Sequence, residues 1–153
     1  MIDPKKYPPL NLPMFDAKVR SIGEQIQIFD AFRKKFIVLT PEEWVRQHFA
    51  HYLVDCIGYS INHVQLEYAL SYHSLKKRPD IGVINSNAEL ELLVECKAPS
   101  IELNEDVFLQ LTSYFSVASS KYIALTNGLQ HIVASFEPSQ GKFVYLKELP
   151  RKE

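Results

Sequence analysis

Two apolar segments separated by five residues, three of them turn-forming, are the feature that most restricts how this chain can fold. The segments are Ile81–Ile84 and Leu90–Cys96, with Asn85-Ser86-Asn87 between them. Asn and Ser bond their own backbone in tight turns, so the pattern predicts a β-hairpin. Because side chains alternate along a strand, one face of the second strand is apolar and must be core: Leu90, Leu92, Val94 and Cys96. Its other face carries Glu91, Leu93, Glu95 and Lys97.

Helix-start signals lie on both sides of this hairpin. Thr40-Pro41-Glu42-Glu43 offers a cap, a proline at the first helical position and an acid three residues after the cap, which predicts a helix to about Asp55. Asn104-Glu105-Asp106 predicts a second helix to about Ala118, with acids in its first turn. Strand signals surround both helices in the order ββ–α–βββ–α–ββ(β). We therefore expect an α/β fold in which two helices flank a central mixed β-sheet of about five strands.

Length and proline content predict the domain organisation. The chain has 153 residues, which suits one domain. Four of its nine prolines lie in residues 1–14, and proline cannot pair inside a sheet. We expect residues 1–14 to form an extended N-terminal arm and residues 15–153 to form a single domain.

Composition excludes several classes of protein. Hydrophobic residues make up 46% and charged residues 23% of the chain, which excludes general disorder. No apolar run approaches the ~18 residues of a membrane span, and no signal peptide is evident, so a cytoplasmic protein without membrane contact is expected. A phosphate loop of the G-x-x-x-x-G-K-[ST] type is absent, which excludes a motor of that kind. The net charge is −1, so binding to nucleic acid requires a local basic patch.

The length of the hairpin loop decides which residue faces Asp80. A loop of four residues puts Asp80 opposite Glu95, whereas a loop of two puts it opposite Leu93. Opposed side chains lie about 5 Å apart, and two carboxylates at that distance repel each other unless a cation lies between them. Mg²⁺, or Mn²⁺ in its place, takes carboxylate oxygens together with water and phosphate. Lys97 would then lie where it can hold a water for attack on a phosphodiester.

Further candidates lie on the helices and before the hairpin. Gln110 and Tyr114 share one face of the second helix, where Tyr114 can donate to a phosphate and Gln110 can orient Lys97 or the water. Arg46 and Gln47 either support the site from the first helix or lie on its solvent side. Lys76, Lys77 and Arg78 either contact nucleic-acid phosphates or form a solvated loop. Glu95 and Lys97 alone would be an ordinary surface charge pair.

The motifs in order resemble a known family. Pro79-Asp80, then Glu95-Cys96-Lys97, then Gln110-x-x-x-Tyr114 resemble the PD-(D/E)xK nuclease superfamily in its Q-x-x-x-Y variety. Together with residues 40–47, Ala98-Pro99 and Thr126-Asn127-Gly128, they are similar to the N-terminal nuclease domain of the R subunit of type I restriction enzymes. The resemblance covers about residues 36–136 and implies a restriction-endonuclease-like fold.

The resemblance also implies residue roles. Asp80 and Glu95 correspond to metal ligands, with help from the main-chain carbonyl of Cys96. Lys97 corresponds to the catalytic lysine, and Gln110 and Tyr114 to an accessory pair. An acid on the first helix often completes such sites, and here it is Glu42 or Glu43. If Glu43 is engaged in a capping box, Glu42 is the freer of the two.

These implications lead to two functional hypotheses. The first is a Mg²⁺- or Mn²⁺-dependent DNA endonuclease, a stand-alone relative of the R-subunit nuclease domain, with RNA as another possible substrate. The second is a catalytically silent nucleic-acid-binding or assembly module with the same fold. Because the sequence contains no motor or specificity domain, protein partners are compatible with both hypotheses.

Overall fold

The computed structural model describes residues 2–68, 70–72 and 75–152, with the backbone alone for 70–72, 75–77 and 113–118. The strands are β1 (Val19–Ile22), β2 (Gln25–Asp30), β3 (Lys35–Val38), β4 (Val64–Leu66), β5 (Leu70–Tyr72), β6 (Leu75–Lys77), β7 (Ile81–Ile84), β8 (Leu90–Cys96), β9 (Tyr122–Thr126), β10 (His131–Glu137) and β11 (Lys142–Leu146). The α-helices are α1 (Pro41–Tyr52) and α2 (Glu105–Ala118).

The centre of the fold is a six-stranded mixed sheet in the order β11-β10-β9-β8-β7-β4. β8 and β9 are parallel, and the other neighbours are antiparallel. The predicted α/β fold with a mixed sheet is thereby confirmed. The sheet has six strands where about five were expected, and β4 is the edge strand beside β7. β1, β2 and β3 form a separate three-stranded sheet.

α1 begins and ends where the sequence signals indicate. The Thr40 hydroxyl accepts a hydrogen bond from the Glu43 backbone N–H at 3.1 Å. A π-helical turn over Leu53–Ile57 continues the helix to Gly58. Gly58 ends it at φ 103°, a conformation that glycine adopts without a steric penalty.

The sheet is buried on both faces at its centre. On one face, α1 packs Val45, Phe49 and Leu53 into a core cluster with three β8 residues: Leu92, Val94 and Cys96. On the other face, α2 packs Phe108 and Leu111 into a cluster with Leu93, Ile123 and Leu125. The middle of β8 is therefore fixed from both sides, and its carboxyl end is where polar side chains gather.

A β-bulge corrects the predicted hairpin. The loop has three residues, since the Asn85 N–H donates to the Glu89 carbonyl at 2.9 Å. A register shift between Val83 and Ile84 then brings Ile81 opposite Val94. The bulge thus restores the register of the four-residue-loop alternative at the Asp80 end.

The bulge also changes the faces near the turn. Leu90 packs against the α2-side cluster, so its predicted place beside Leu92 is wrong. The Glu91 carboxylate forms a hydrogen bond with the Tyr59 hydroxyl. The pKa of Tyr59 is raised, mainly by burial and also by this carboxylate. Tyr59 belongs to the α1-side core, so the extra residue reverses the alternation that the sequence predicted before Leu92.

The N-terminal segment packs over the end of β9. The Asn11 N–H donates to the Gly128 carbonyl at 2.8 Å, and the Trp44 indole donates to the Pro8 carbonyl at 3.0 Å. A Cβ at Gly128 would meet Leu10 at 2.7 Å, and its φ is +85°, so both contact and backbone favour glycine. In the described part of the chain, no helix has the length and apolar character to span a bilayer.

Candidate active site

Asp80 and Glu95 lie side by side where β7 begins and β8 ends. Asp80 is buried, with 5% of its surface exposed, and its Oδ2 accepts a hydrogen bond from the Cys96 N–H at 2.7 Å. Glu95 hydrogen-bonds Asp80, and burial together with that neighbour raises the pKa of Glu95 to about 9. The shift favours a proton shared between the two carboxyl groups, as expected for two buried acids in contact.

The two acids at the start of α1 have different environments. Burial raises the pKa of Glu42, Asp80 raises it further, and Arg46 and Lys97 oppose the shift. Glu42 is therefore within electrostatic reach of Asp80 and Lys97. The Glu43 carboxylate instead accepts hydrogen bonds from Arg33, Arg46 and Gln47, each at 3.1 Å. Of the two acids proposed from the sequence, Glu42 is the one beside the Asp80–Glu95 pair.

Arg46 lies at the centre of an ion network between α1 and β7. Its guanidinium contacts Asp80 at 2.7 Å, Glu43 at 3.1 Å, Glu67 at 3.4 Å and Glu42 at 3.5 Å. Both Arg46 and Gln47 are buried, so the helix-surface interpretation is wrong for them. Removing one partner of a buried ion pair costs about 3–5 kcal/mol, so the stability of the fold depends on this network.

Glu67 is a member of this network that the sequence analysis missed. Its N–H donates to the Asp80 carbonyl at 2.8 Å, and its carboxylate contacts Arg33 at 3.3 Å and Arg46 at 3.4 Å. Its φ is 55°, a left-handed conformation that is unfavourable for a residue with a side chain. No spacing rule links it to β7 or α1, so only the fold reveals it. Glu67, directly after β4, thus holds the backbone of Asp80 in place.

Lys97 follows directly on β8 and is held through its backbone. The Lys97 N–H donates to the Thr126 carbonyl at 2.8 Å, and the Asn127 side chain donates to the Ile101 carbonyl at 2.8 Å. The Thr126-Asn127-Gly128 turn therefore holds both ends of the segment from Lys97 to Ile101. The Lys97 ammonium is close enough to Glu95 and Glu42 to lower the pKa of each carboxyl group.

The structure gives positions for two of the remaining candidates. Gln110 is at an exposed position of α2, and Arg78 is exposed before β7. The side chains of Tyr114, Lys76 and Lys77 lie outside the described residues. The cysteine side chain of the Glu95-Cys96-Lys97 motif is completely buried, which leaves only its main chain for a role in the site.

The donor chemistry of the cluster fits a hard divalent cation. Asp80, Glu95 and Glu42 supply carboxylate oxygens, the ligands that Mg²⁺ and Mn²⁺ prefer. Burial is the main cause of the raised pKa of Glu95, and the neighbouring Asp80 adds to it; a bound cation would offset the contribution of Asp80. Within the described residues, however, no three His, Cys, Asp or Glu side chains converge in a geometry ready for a metal ion. Both oxygens of Asp80 already accept hydrogen bonds, from Arg46 and from Cys96.

Comparison with known proteins identifies the fold and the family. Residues 41–150 match the family model described as type I restriction enzyme R protein N terminus. A solved fragment assigned to an HsdR subunit of a type I restriction enzyme from Vibrio vulnificus YJ016 superposes with a TM-score of 0.50 at 18% identity. The match covers 71% of this chain and 23% of that one, so this chain spans about a quarter of its length.

The comparison with curated proteins finds no match. The family match covers most of the chain, including α1, the Asp80–Glu95 pair and the Thr126-Asn127-Gly128 turn. The structural similarity independently supports the resemblance inferred from the motifs. This chain therefore belongs to the family of type I restriction enzyme R protein N-terminal domains, which has a nuclease-like fold.

Proposed function

We propose that this chain is a metal-dependent endonuclease domain that hydrolyses phosphodiester bonds of DNA. The observation that supports the proposal most strongly is the meeting of two acids with an amine at the end of β8: Asp80, Glu95 and Lys97. Family membership supports the same class of activity. The proposal assigns Asp80, Glu95 and the Cys96 carbonyl to a divalent cation, with Glu42 as the fourth donor.

The proposed roles follow from charge and position. A bound Mg²⁺ or Mn²⁺ would stabilise the negative charge that develops on the phosphate. Lys97 holds the attacking water and offers a proton donor beside the scissile phosphate. The water oxygen loses a proton to the solvent as it bonds to phosphorus, the P–O bond to the leaving nucleotide breaks, and the departing oxygen takes up a proton. Gln110 and Tyr114 remain proposed accessory residues that orient Lys97 and contact the phosphate.

The basic stretch before the hairpin is the proposed contact to the DNA backbone. Lys76, Lys77 and Arg78 immediately precede Pro79-Asp80 in the sequence. Contacts to phosphates supply most of the affinity in non-specific binding to DNA, and they weaken as salt rises. Replacing Lys76 and Lys77 together by alanine should reduce the salt dependence of DNA binding measured by fluorescence anisotropy.

Plasmid cleavage tests the proposed activity. Wild-type protein with Mg²⁺ or Mn²⁺ should cut plasmid DNA, and Glu95→Ala and Lys97→Ala should each lower the rate by ~100-fold or more. Glu89→Ala and Lys121→Ala are matched controls, because both side chains are exposed and neither belongs to the proposed site. Equal cleavage by wild type and both site variants would indicate a contaminating nuclease and contradict the proposal. RNA of matched sequence, assayed in parallel, distinguishes the sugar preference.

One observation favours a second function, a catalytically silent nucleic-acid-binding or assembly module. Both Asp80 oxygens have protein donors, so the pair of acids is stable without a metal ion. In that case DNA binding persists in Lys97→Ala and no metal concentration produces cleavage. Robust cleavage by the wild-type chain that is lost in Lys97→Ala eliminates this alternative.

A further inference from the structure

Arg46 holds the oxygen of Asp80 that a metal ion would need. The Arg46 Nη2 to Asp80 Oδ1 distance of 2.7 Å is the shortest of its ion pairs. The other Asp80 oxygen accepts from the Cys96 N–H, a main-chain donor whose position is fixed by β8. Of the two donors on Asp80, the guanidinium is therefore the one that can move.

We propose that Arg46 competes with the metal ion for Asp80 and thereby sets the metal affinity of the site. It neutralises Asp80 when no metal ion is bound and gives up Asp80 Oδ1 when one binds. This inference rests on the proposed function, since it concerns the same metal site. It goes beyond that function by assigning the control of metal affinity to a residue that is neither a proposed ligand nor a proposed catalytic group.

The other partners of Arg46 make such a release feasible. Its guanidinium also contacts Glu43 at 3.1 Å, Glu67 at 3.4 Å and Glu42 at 3.5 Å. An arginine that leaves Asp80 therefore remains paired, and no buried charge is left without a counter-ion. This differs from a guanidinium with a single partner, whose release would strand a buried charge at high cost.

The sign of the effect follows from electrostatics. Arg46 is a permanent positive charge, and it is 8% exposed, so solvent screens it weakly. A charge at such separations changes the affinity of a neighbouring site for a cation, a proton included, by about tenfold to a thousandfold. Removing the positive charge of Arg46 should therefore strengthen metal binding, whereas removing a ligand should weaken it.

Arg33 provides a matched control within the same network. It contacts Asp30, Glu43 and Glu67, but no described ion pair joins it to Asp80. Arg33→Met removes an arginine that shares Glu43 and Glu67 with Arg46 and does not itself alter the Arg46–Asp80 pair. A difference between the two arginine variants thus reports on Asp80 rather than on the total charge of the network.

The test is the affinity for Mn²⁺, measured by titration calorimetry or electron paramagnetic resonance without DNA. Arg46→Met should bind Mn²⁺ about tenfold or more tightly than wild type, while Arg33→Met should stay within about threefold. Arg46→Lys keeps the positive charge and should also remain near the wild-type value. Unchanged or weaker binding in a folded Arg46→Met overturns the inference.

A second variant covers a failure of Arg46→Met to fold. Arg46→Gln is neutral but can still donate to Asp80, and it should show the same tightening. If both neutral variants unfold without metal, Mn²⁺ below its wild-type Kd should restore their near-ultraviolet circular dichroism, and no recovery overturns the inference.

If wild type binds no Mn²⁺ and Glu95→Gln changes nothing, the proposed metal site itself fails. If wild type binds Mn²⁺ through Glu95 but the neutral variants do not bind more tightly, only the role of Arg46 fails.

Discussion

α1 and α2 cover opposite faces of the same sheet and do so with different chemistry. α1 buries Glu43, Arg46, Gln47 and His48 along with its apolar residues. In the part of α2 whose side chains are described, the buried residues are Phe108 and Leu111, and Gln110 is exposed. Both helices have acids in the first turn, so local sequence signals alone do not separate them.

The difference shows which side of the sheet the candidate site depends on. Buried charges are costly unless they are paired. The four polar residues that α1 buries therefore need partners, and α1 does more than pack against the sheet. The polar residues of α1 connect Asp80 to Asp30 and Arg33, which lie outside the six-stranded sheet. α1 therefore organises the acids, whereas the described part of α2 supports β8 through apolar contacts.

The largest effect is expected when a carboxylate is removed from the α1 network. Glu43→Ala removes the hydrogen bonds that Arg33, Arg46 and Gln47 donate to this buried carboxylate. Since a hydrogen bond to a charged group contributes about 1.5–3 kcal/mol, the free energy of unfolding should fall by about 3–5 kcal/mol. Glu105→Ala, at an exposed first-turn position of α2, should cost no more than about 1 kcal/mol. Urea unfolding measures both variants, and equal losses would contradict the contrast between the helices.

An apolar truncation on α2 should affect stability alone. Leu111 is 2% exposed and packs against the α2-side cluster, so Leu111→Ala should cost about 2–5 kcal/mol. The Asp80–Glu95 pair lies outside that cluster, so Mn²⁺ affinity should stay within about threefold of wild type in the folded variant. A tenfold change in Mn²⁺ affinity would mean that α2 also organises the site.

The caps of the two helices should have equal effects. Thr40 accepts from the Glu43 N–H at 3.1 Å and Asn104 from the Val107 N–H at 2.9 Å. Thr40→Ala and Asn104→Ala should each lower the free energy of unfolding by about 1 kcal/mol. A much larger loss for one cap would show that the contrast between α1 and α2 already exists at the helix starts.

The smallest predicted effect is a pH dependence carried by α1. Burial lowers the pKa of His48, and the neighbouring His51 adds to the shift. Because the unfolded chain binds this proton more readily, the contribution of His48 is complete above pH ~6.5 and is lost as pH falls below that value. Urea unfolding at pH 7 and pH 5 should show a smaller loss in His48→Gln than in wild type. An identical loss in both proteins would exclude His48 as a source of the dependence.

Local signals in the sequence predicted most elements of this fold. The cap at Thr40 and the start at Asn104 are both present. These features depend on residues close in sequence, so spacing rules apply to them. The bulge between Val83 and Ile84 was not predicted, because an extra residue in a strand has no composition of its own.

The candidate site was predictable in its strand residues and not in its network. Asp80 and Glu95 follow from hairpin register, and Lys97 from alternation along β8. The contacts of Arg46 with Asp80 and Glu67 join residues 34 and 21 positions apart, and no periodicity reports such pairs. Part of this network has a local signal. Glu42 and Glu43 lie four and three residues before Arg46, the spacing at which side chains on a helix can pair.

The most direct test of the central claim is a crystal of the protein soaked in Mn²⁺, with anomalous diffraction measured. If Asp80 and Glu95 bind one divalent cation, we expect one anomalous peak about 2.2 Å from a carboxylate oxygen of each residue. In that structure, the Arg46 guanidinium should have moved away from Asp80 Oδ1. A well-ordered Asp80–Glu95 pair with no anomalous peak at millimolar Mn²⁺ would contradict the account.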